Sequence, residues 1–78
     1  MTIDNFIKNF AELFDETDIT LLNSETEYKK LEEWSSMMAL SVIAMIDAEY
    51  NVQISGADIR SCKTVKDLFE KVNSFKGK

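Results

Sequence analysis

Apolar residues recur at helical spacing from the start of the chain: Ile3, Phe6, Ile7, Phe10, Leu13 and Phe14 share one face of a 3.6-residue period. Thr2 stands where an N-cap belongs, since its hydroxyl can accept a hydrogen bond from a first-turn N–H group. A first helix is predicted here. Over residues 15–35 the period is lost, and the apolar positions thin to Ile19, Leu21, Leu22, Tyr28, Leu31 and Trp34. These read as anchors of a long connection, which in so small a domain is expected to be functional or well packed. Within it, Ser24 followed by Glu27 has the form of a capping box and predicts a short helical turn. From Met37 to Tyr50 the helical period returns, with Ser35 or Ser36 at the N-cap. Ala39, Val42, Ile43, Ile46 and Tyr50 form the face assigned to the core. The opposite face holds Met37, Ser41, Ala44, Met45 and Ala48, with Leu40 at its edge, and carries no charge. Val52 and Ile54 then predict an extended segment. Ser55 with Asp58 predicts a brief helix ending near Ser61, and Thr64 with Asp67 caps a last helix whose stripe is Val65, Leu68, Phe69, Val72 and Phe75.

Three main helices, one short helix and a long first loop make the expected fold all-α, a small up-and-down four-helix bundle. The 78 residues contain no proline, only two glycines and no internal repeat, so 1–78 is read as one domain. A core of this size supplies roughly 3–5 kcal/mol of net stability, which leaves a scaffold without a walled catalytic cleft.

Charge is unevenly placed. Residues 1–58 carry 12 acids and 3 bases, whereas residues 59–78 carry 2 acids and 6 bases. The acidic part repels phosphate backbones. The bases Arg60, Lys63, Lys66, Lys71, Lys76 and Lys78 lack the aromatic interleaving of a nucleic-acid surface, so nucleic acid is not an expected partner. An acidic surface instead favours proteins with basic patches. Residues Met1–Phe10 read neither as a signal peptide nor as a transit sequence. The apolar run Met37–Ile46 is about half the roughly 20 residues a bilayer span requires, so no membrane insertion and a cytoplasmic location are expected.

One cysteine and no histidine leave no zinc-binding set and no disulfide. Asp15, Glu16 and Asp18 lack the glycine and late glutamate of a calcium loop and read as a solvated loop, so no metal is expected. Glu25, Glu27, Glu32 and Glu33 read as a solubilising acidic surface. Cys62 reads as a small, semi-buried residue, and Tyr28 and Trp34 as loop anchors. No catalytic residue is expected, because a serine needs a neighbouring base to become a nucleophile and the chain offers none evident.

The segment Trp34-Ser35-Ser36-Met37 lies between the long loop and the second helix. Together with Thr26, Tyr28, Leu31, the run Asp47-Ala48-Glu49-Tyr50-Asn51-Val52, Ile54, Ile59 and Thr64-Val65-Lys66-Asp67-Leu68, it resembles the acyl carrier protein family over nearly the whole chain. The resemblance implies that Ser36 carries 4'-phosphopantetheine taken from coenzyme A through a phosphopantetheinyl transferase. It further implies that the arm's thiol holds acyl thioester cargo for acyl-transferring or synthase enzymes of fatty-acid, specialised lipid or polyketide biosynthesis, or aminoacyl and peptidyl groups. A serine at a helix start also suits a phosphate physically, because unpaired N–H groups and the positive end of the helix dipole lie beside it. The chain departs from the family pattern at Ser35-Ser36-Met37, where the usual tripeptide is Asp-Ser-Leu. Its second helix keeps only Asp47 and Glu49 of the usual acids. Partner docking is therefore expected on Met37, Met38, Leu40, Ser41, Met45, Asp47 and Ala48, largely by apolar contact from a monomer. Cargo is expected to fold back near Ile43, Ile46, Ile54 and Ile59. The reading from a different class is an unmodified helical interaction module that uses the Met-rich second helix.

Overall fold

The computed structural model describes residues 2–76, Ile19 by its backbone alone. It is a small helical bundle of four α-helices: α1 Ile3–Ala11, α2 Ser36–Tyr50, α3 Gly56–Ser61 and α4 Val65–Lys76. Two 3-10 turns, Ile19–Leu21 and Tyr28–Lys30, interrupt the long connection between α1 and α2. Helix α1 packs on α2 and α4, and the short α3 packs on the same two helices.

Local chemistry explains where the helices begin. Thr2 caps α1 by accepting from the Asn5 N–H at 3.2 Å. At α3 both halves of the capping box are formed, with Asp58 N–H donating to Ser55 Oγ and Ser55 N–H donating to Asp58 Oδ2. Thr64 and Asp67 exchange the same pair of bonds before α4. Helix α2 ends on Asn51, whose φ of 56° is left-handed, a conformation asparagine tolerates better than most residues. The chain then turns back, so that Val52 and Ile54 enter the core from an extended segment.

Ring contacts run through the interior from Trp34 by way of Phe14, Phe10 and Phe6 to Tyr50 and Phe69. Phe6, Phe10, Val42, Ile46, Val65, Leu68 and Val72 are fully buried, which satisfies the predicted stripes of α1, α2 and α4. Leu13 and Phe14 continue the apolar face of α1 but lie in the turn beyond its last residue. Ala39, Ile43, Tyr50, Phe69 and Phe75 are half-buried and pack against this core.

The connection 15–35 is a structural part of the bundle. A capping box at Ser24 and Glu27 does not form: the 3-10 turn opens at Glu27 without a side-chain cap. The Ser24 carbonyl instead accepts from Lys66 N–H at 2.9 Å, and the Thr26 carbonyl accepts from Val65 N–H at 3.0 Å. Two N–H groups left over at the start of α4 thus find partners in the loop. Tyr28 is fully buried and Leu22 nearly so, while Leu31 and Trp34 are half-buried. Leu21 does not anchor the loop, being 65% exposed. The side chain of Ile19 and all of Lys78 lie outside the described residues.

Candidate functional site

The site is assembled around the start of α2. Ser35 is the N-cap, and its hydroxyl accepts from Met38 N–H at 3.3 Å. Ser36 is the first residue of the helix, exposed, and its hydroxyl takes no hydrogen-bond partner among the described residues. Of the two serines, one therefore does the structural work and the other is left unengaged. The first helical bond of α2 runs from Ala39 N–H to the Ser35 carbonyl. The N–H groups of Ser36 and Met37 consequently lie upstream of the helical ladder, where helix starts meet anions.

An open groove of about 490 Å³ begins at Ser35 and Ser36 and runs between α2 and α3. Trp34, Ala39, Leu40 and Ile43 line one wall; Gly56, Ile59, Arg60 and Lys29 line the other. This volume lies within the range of ligand sites, about 300–1,000 Å³. Leu40 and Ile43 also line a neighbouring recess of about 340 Å³ with Ala44, Asp47, Gln53 and Ile54. Three of the four residues expected around folded-back cargo, Ile43, Ile54 and Ile59, thus border the two recesses. Ile46 does not: it is fully buried in the bundle centre.

Loop residues hold the α3 wall. The Tyr28 hydroxyl donates to the Ile59 carbonyl at 2.6 Å, and Lys29 Nζ donates to the Arg60 carbonyl at 2.6 Å. Both acceptors belong to the last turn of a six-residue helix, whose carbonyls have no helical partner. Burial pushes the Tyr28 hydroxyl well above the usual tyrosine range, with the nearby Asp67 carboxylate adding to it, so the group remains a neutral donor. Trp34 packs on Tyr28 with ring centroids 4.9 Å apart and stacks on Phe10 at 6.5 Å. This fixes the residue two positions before Ser36.

Glu33 has a different role from the solubilising one expected of it. Its carboxylate accepts from the N–H groups of Asp15, Glu16 and Thr17 at 2.8–3.0 Å and from the Thr17 hydroxyl at 2.8 Å. The bond from Asp15 N–H is the leading cause of a carboxyl held below its usual range. The signal in the sequence was faint, because one glutamate in an acidic stretch carries no mark of such long-range bonds. Asp18 turns inward on its own loop, accepting from Thr20 N–H and hydroxyl.

The expected docking residues divide. Met37 is 77% and Leu40 66% exposed, and Ser41, Ala44, Asp47 and Ala48 are exposed along the same side of α2. Met38 and Met45 are half-buried and pack against the core, because α2 is apolar almost all round and the bundle draws on more than one of its faces. The long loop does not cover Met37 or Leu40. Cys62 is buried. Among the described residues no cluster of three or more His, Cys, Asp or Glu side chains is placed to hold a metal ion, and no helix is long and apolar enough to cross a membrane. Compared with known proteins, the chain matches no family model, no curated protein and no solved structure.

Proposed function

We propose that the protein is a carrier that bears 4'-phosphopantetheine on Ser36 and presents a bound acyl group to partner enzymes. The observation that carries this reading is the division of labour at the head of α2: Ser35 caps the helix, so the exposed Ser36 hydroxyl has no structural task. The residues fit the group. The hydroxyl is accessible, and a largely apolar groove of about 490 Å³ starts beside it.

In the attachment step the Ser36 oxygen bonds to the phosphorus that carries pantetheine, the pyrophosphate P–O bond of coenzyme A breaks, and adenosine 3',5'-bisphosphate leaves. The hydroxyl proton passes to a base of the transferase, since this chain has no histidine and places no evident base at Ser36. The bound arm supplies a thiol that holds the acyl group as a thioester. Everything else falls to the scaffold: Trp34 fixes the approach to Ser36, Tyr28 holds the α3 wall, and Met37 with Leu40 offers an apolar landing for partners.

Incubation with coenzyme A and a broad-specificity transferase, followed by intact mass measurement, tests the proposal. One added arm is expected; no arm with several transferases refutes it. The second reading, an unmodified interaction module, is favoured by the exposed Met37–Leu40 stripe and requires partner binding that does not depend on an arm.

A further inference from the structure

The groove beside Ser36 differs in charge from the rest of the acidic part of the chain. Its lining includes two cations, Lys29 and Arg60, and no carboxylate. Neither cation forms an ion pair: the salt bridges among the described residues join Lys30 to Glu27 and Lys71 to Asp58. Although the chain has 14 acids, none lines this recess beside its two cations. Lys29 is also held in place. Lys29 Nζ is tied to the Arg60 carbonyl at 2.6 Å, and the Arg60 guanidinium lies back along α3, so that Nη1 would stand 3.2 Å from a Cβ added at Gly56. The recess further along α2 reverses the arrangement, with Asp47 in its lining and no cation.

From this polarity we infer that the groove is a site for a phosphate ester with an apolar tail. Lys29 and Arg60 take the phosphate, the walls of Trp34, Ala39, Ile43 and Ile59 take the chain, and the tail points toward the Asp47 recess. The assignment of that phosphate to the one esterified on Ser36 rests on the carrier reading; the site itself does not. On the carrier reading, Lys29 and Arg60 lay the arm along the groove, and Asp47 disfavours cargo that ends in a carboxylate while admitting neutral or amine-ended tails.

The test uses the unmodified chain. Trp34 is the sole tryptophan and lines the groove, so its fluorescence reports occupancy. Octyl phosphate is titrated against 1-octanol. The phosphate is expected to bind about tenfold more tightly at low salt, and Lys29→Gln or Arg60→Gln to lose about threefold of that margin each, as two exposed charge contacts would. The double variant loses all of it, as does the wild type in about 1 M salt, where the Debye length is roughly 3 Å. Lys66→Gln, on α4, keeps the margin, and far-UV circular dichroism verifies that each variant is folded. Equal affinity for the two probes, or a margin that survives in the folded double variant, overturns the site. A chain that shows the margin yet accepts no arm overturns the carrier reading and leaves the site standing; a chain that accepts the arm without the margin does the reverse.

Discussion

The Tyr28 hydroxyl donates to the Ile59 carbonyl at 2.6 Å, a bond that spans 31 positions and joins the long loop to the last turn of α3. Because Tyr28 is fully buried, Tyr28→Phe leaves that carbonyl short of its best partner. The expected cost is about 1–3 kcal/mol, a large part of the roughly 3–5 kcal/mol such a domain has. Thermal denaturation reads this as a fall of roughly 4–8 °C per kcal/mol. Tyr50→Phe is the contrast: its hydroxyl accepts from Asn9 Nδ2 at 2.8 Å in a half-buried setting, and water replaces the lost partner more readily. A Tyr28→Phe melting temperature no lower than that of Tyr50→Phe would contradict the role assigned to the loop.

Glu33 predicts a dependence on acid. Its carboxyl is held below the usual range, chiefly by the Asp15 N–H, so the folded state binds its proton more weakly than the unfolded state does. The stability it contributes is present above the ordinary glutamate value of about 4.3 and is lost as pH falls through the lowered folded value. Amide protection at Asp15, Glu16 and Thr17 is expected to fall over that acid range in the wild type. In Glu33→Gln, protection at these three amides is low at neutral pH and nearly flat with pH. Protection at these amides in Glu33→Gln equal to that of the wild type at neutral pH would count against the clip.

Met37 and Leu40 protrude from α2 without a task in the bundle, at 77% and 66% exposure. Replacing either with glutamine is expected to move stability by no more than about 0.5 kcal/mol. Arm attachment and acyl transfer are nevertheless expected to slow in the Met37→Gln, Leu40→Gln double variant, chiefly through weaker enzyme binding. Docking on an apolar surface also predicts partner affinity that changes little with salt. A steep loss of affinity on adding salt would show that charge, through Asp47 and Glu49, dominates instead.

The features legible in the sequence are local ones. The capping pairs Ser55–Asp58 and Thr64–Asp67 sit three residues apart, and such spacing determines a hydrogen bond almost by itself. The stripe of α4 was equally plain, since its polar face makes the buried Val65, Leu68 and Val72 stand out. Helix α2 was harder: with apolar residues on nearly every side, periodicity could not tell that Met45 packs inward while Leu40 faces solvent. Ser35 and Ser36 are equivalent as caps in the sequence, and only the fold assigns the cap to Ser35. The bonds of Glu33, Tyr28 and Lys29 and the loop carbonyls over α4 bridge 16 or more positions and leave no periodic trace. The cationic lining of the groove belongs to this class, since Lys29 and Arg60 become neighbours through folding alone.

The division between Ser35 and Ser36 is the central claim, and one set of masses tests it. Wild type, Ser35→Ala and Ser36→Ala are each incubated with coenzyme A and a transferase, then weighed intact and melted. Ser35→Ala should lose about 1 kcal/mol of stability, the usual worth of a serine cap, yet still gain one arm. Ser36→Ala should melt close to the wild type and gain none. An arm that persists in Ser36→Ala, or its absence from the wild type with every transferase tried, would contradict the account.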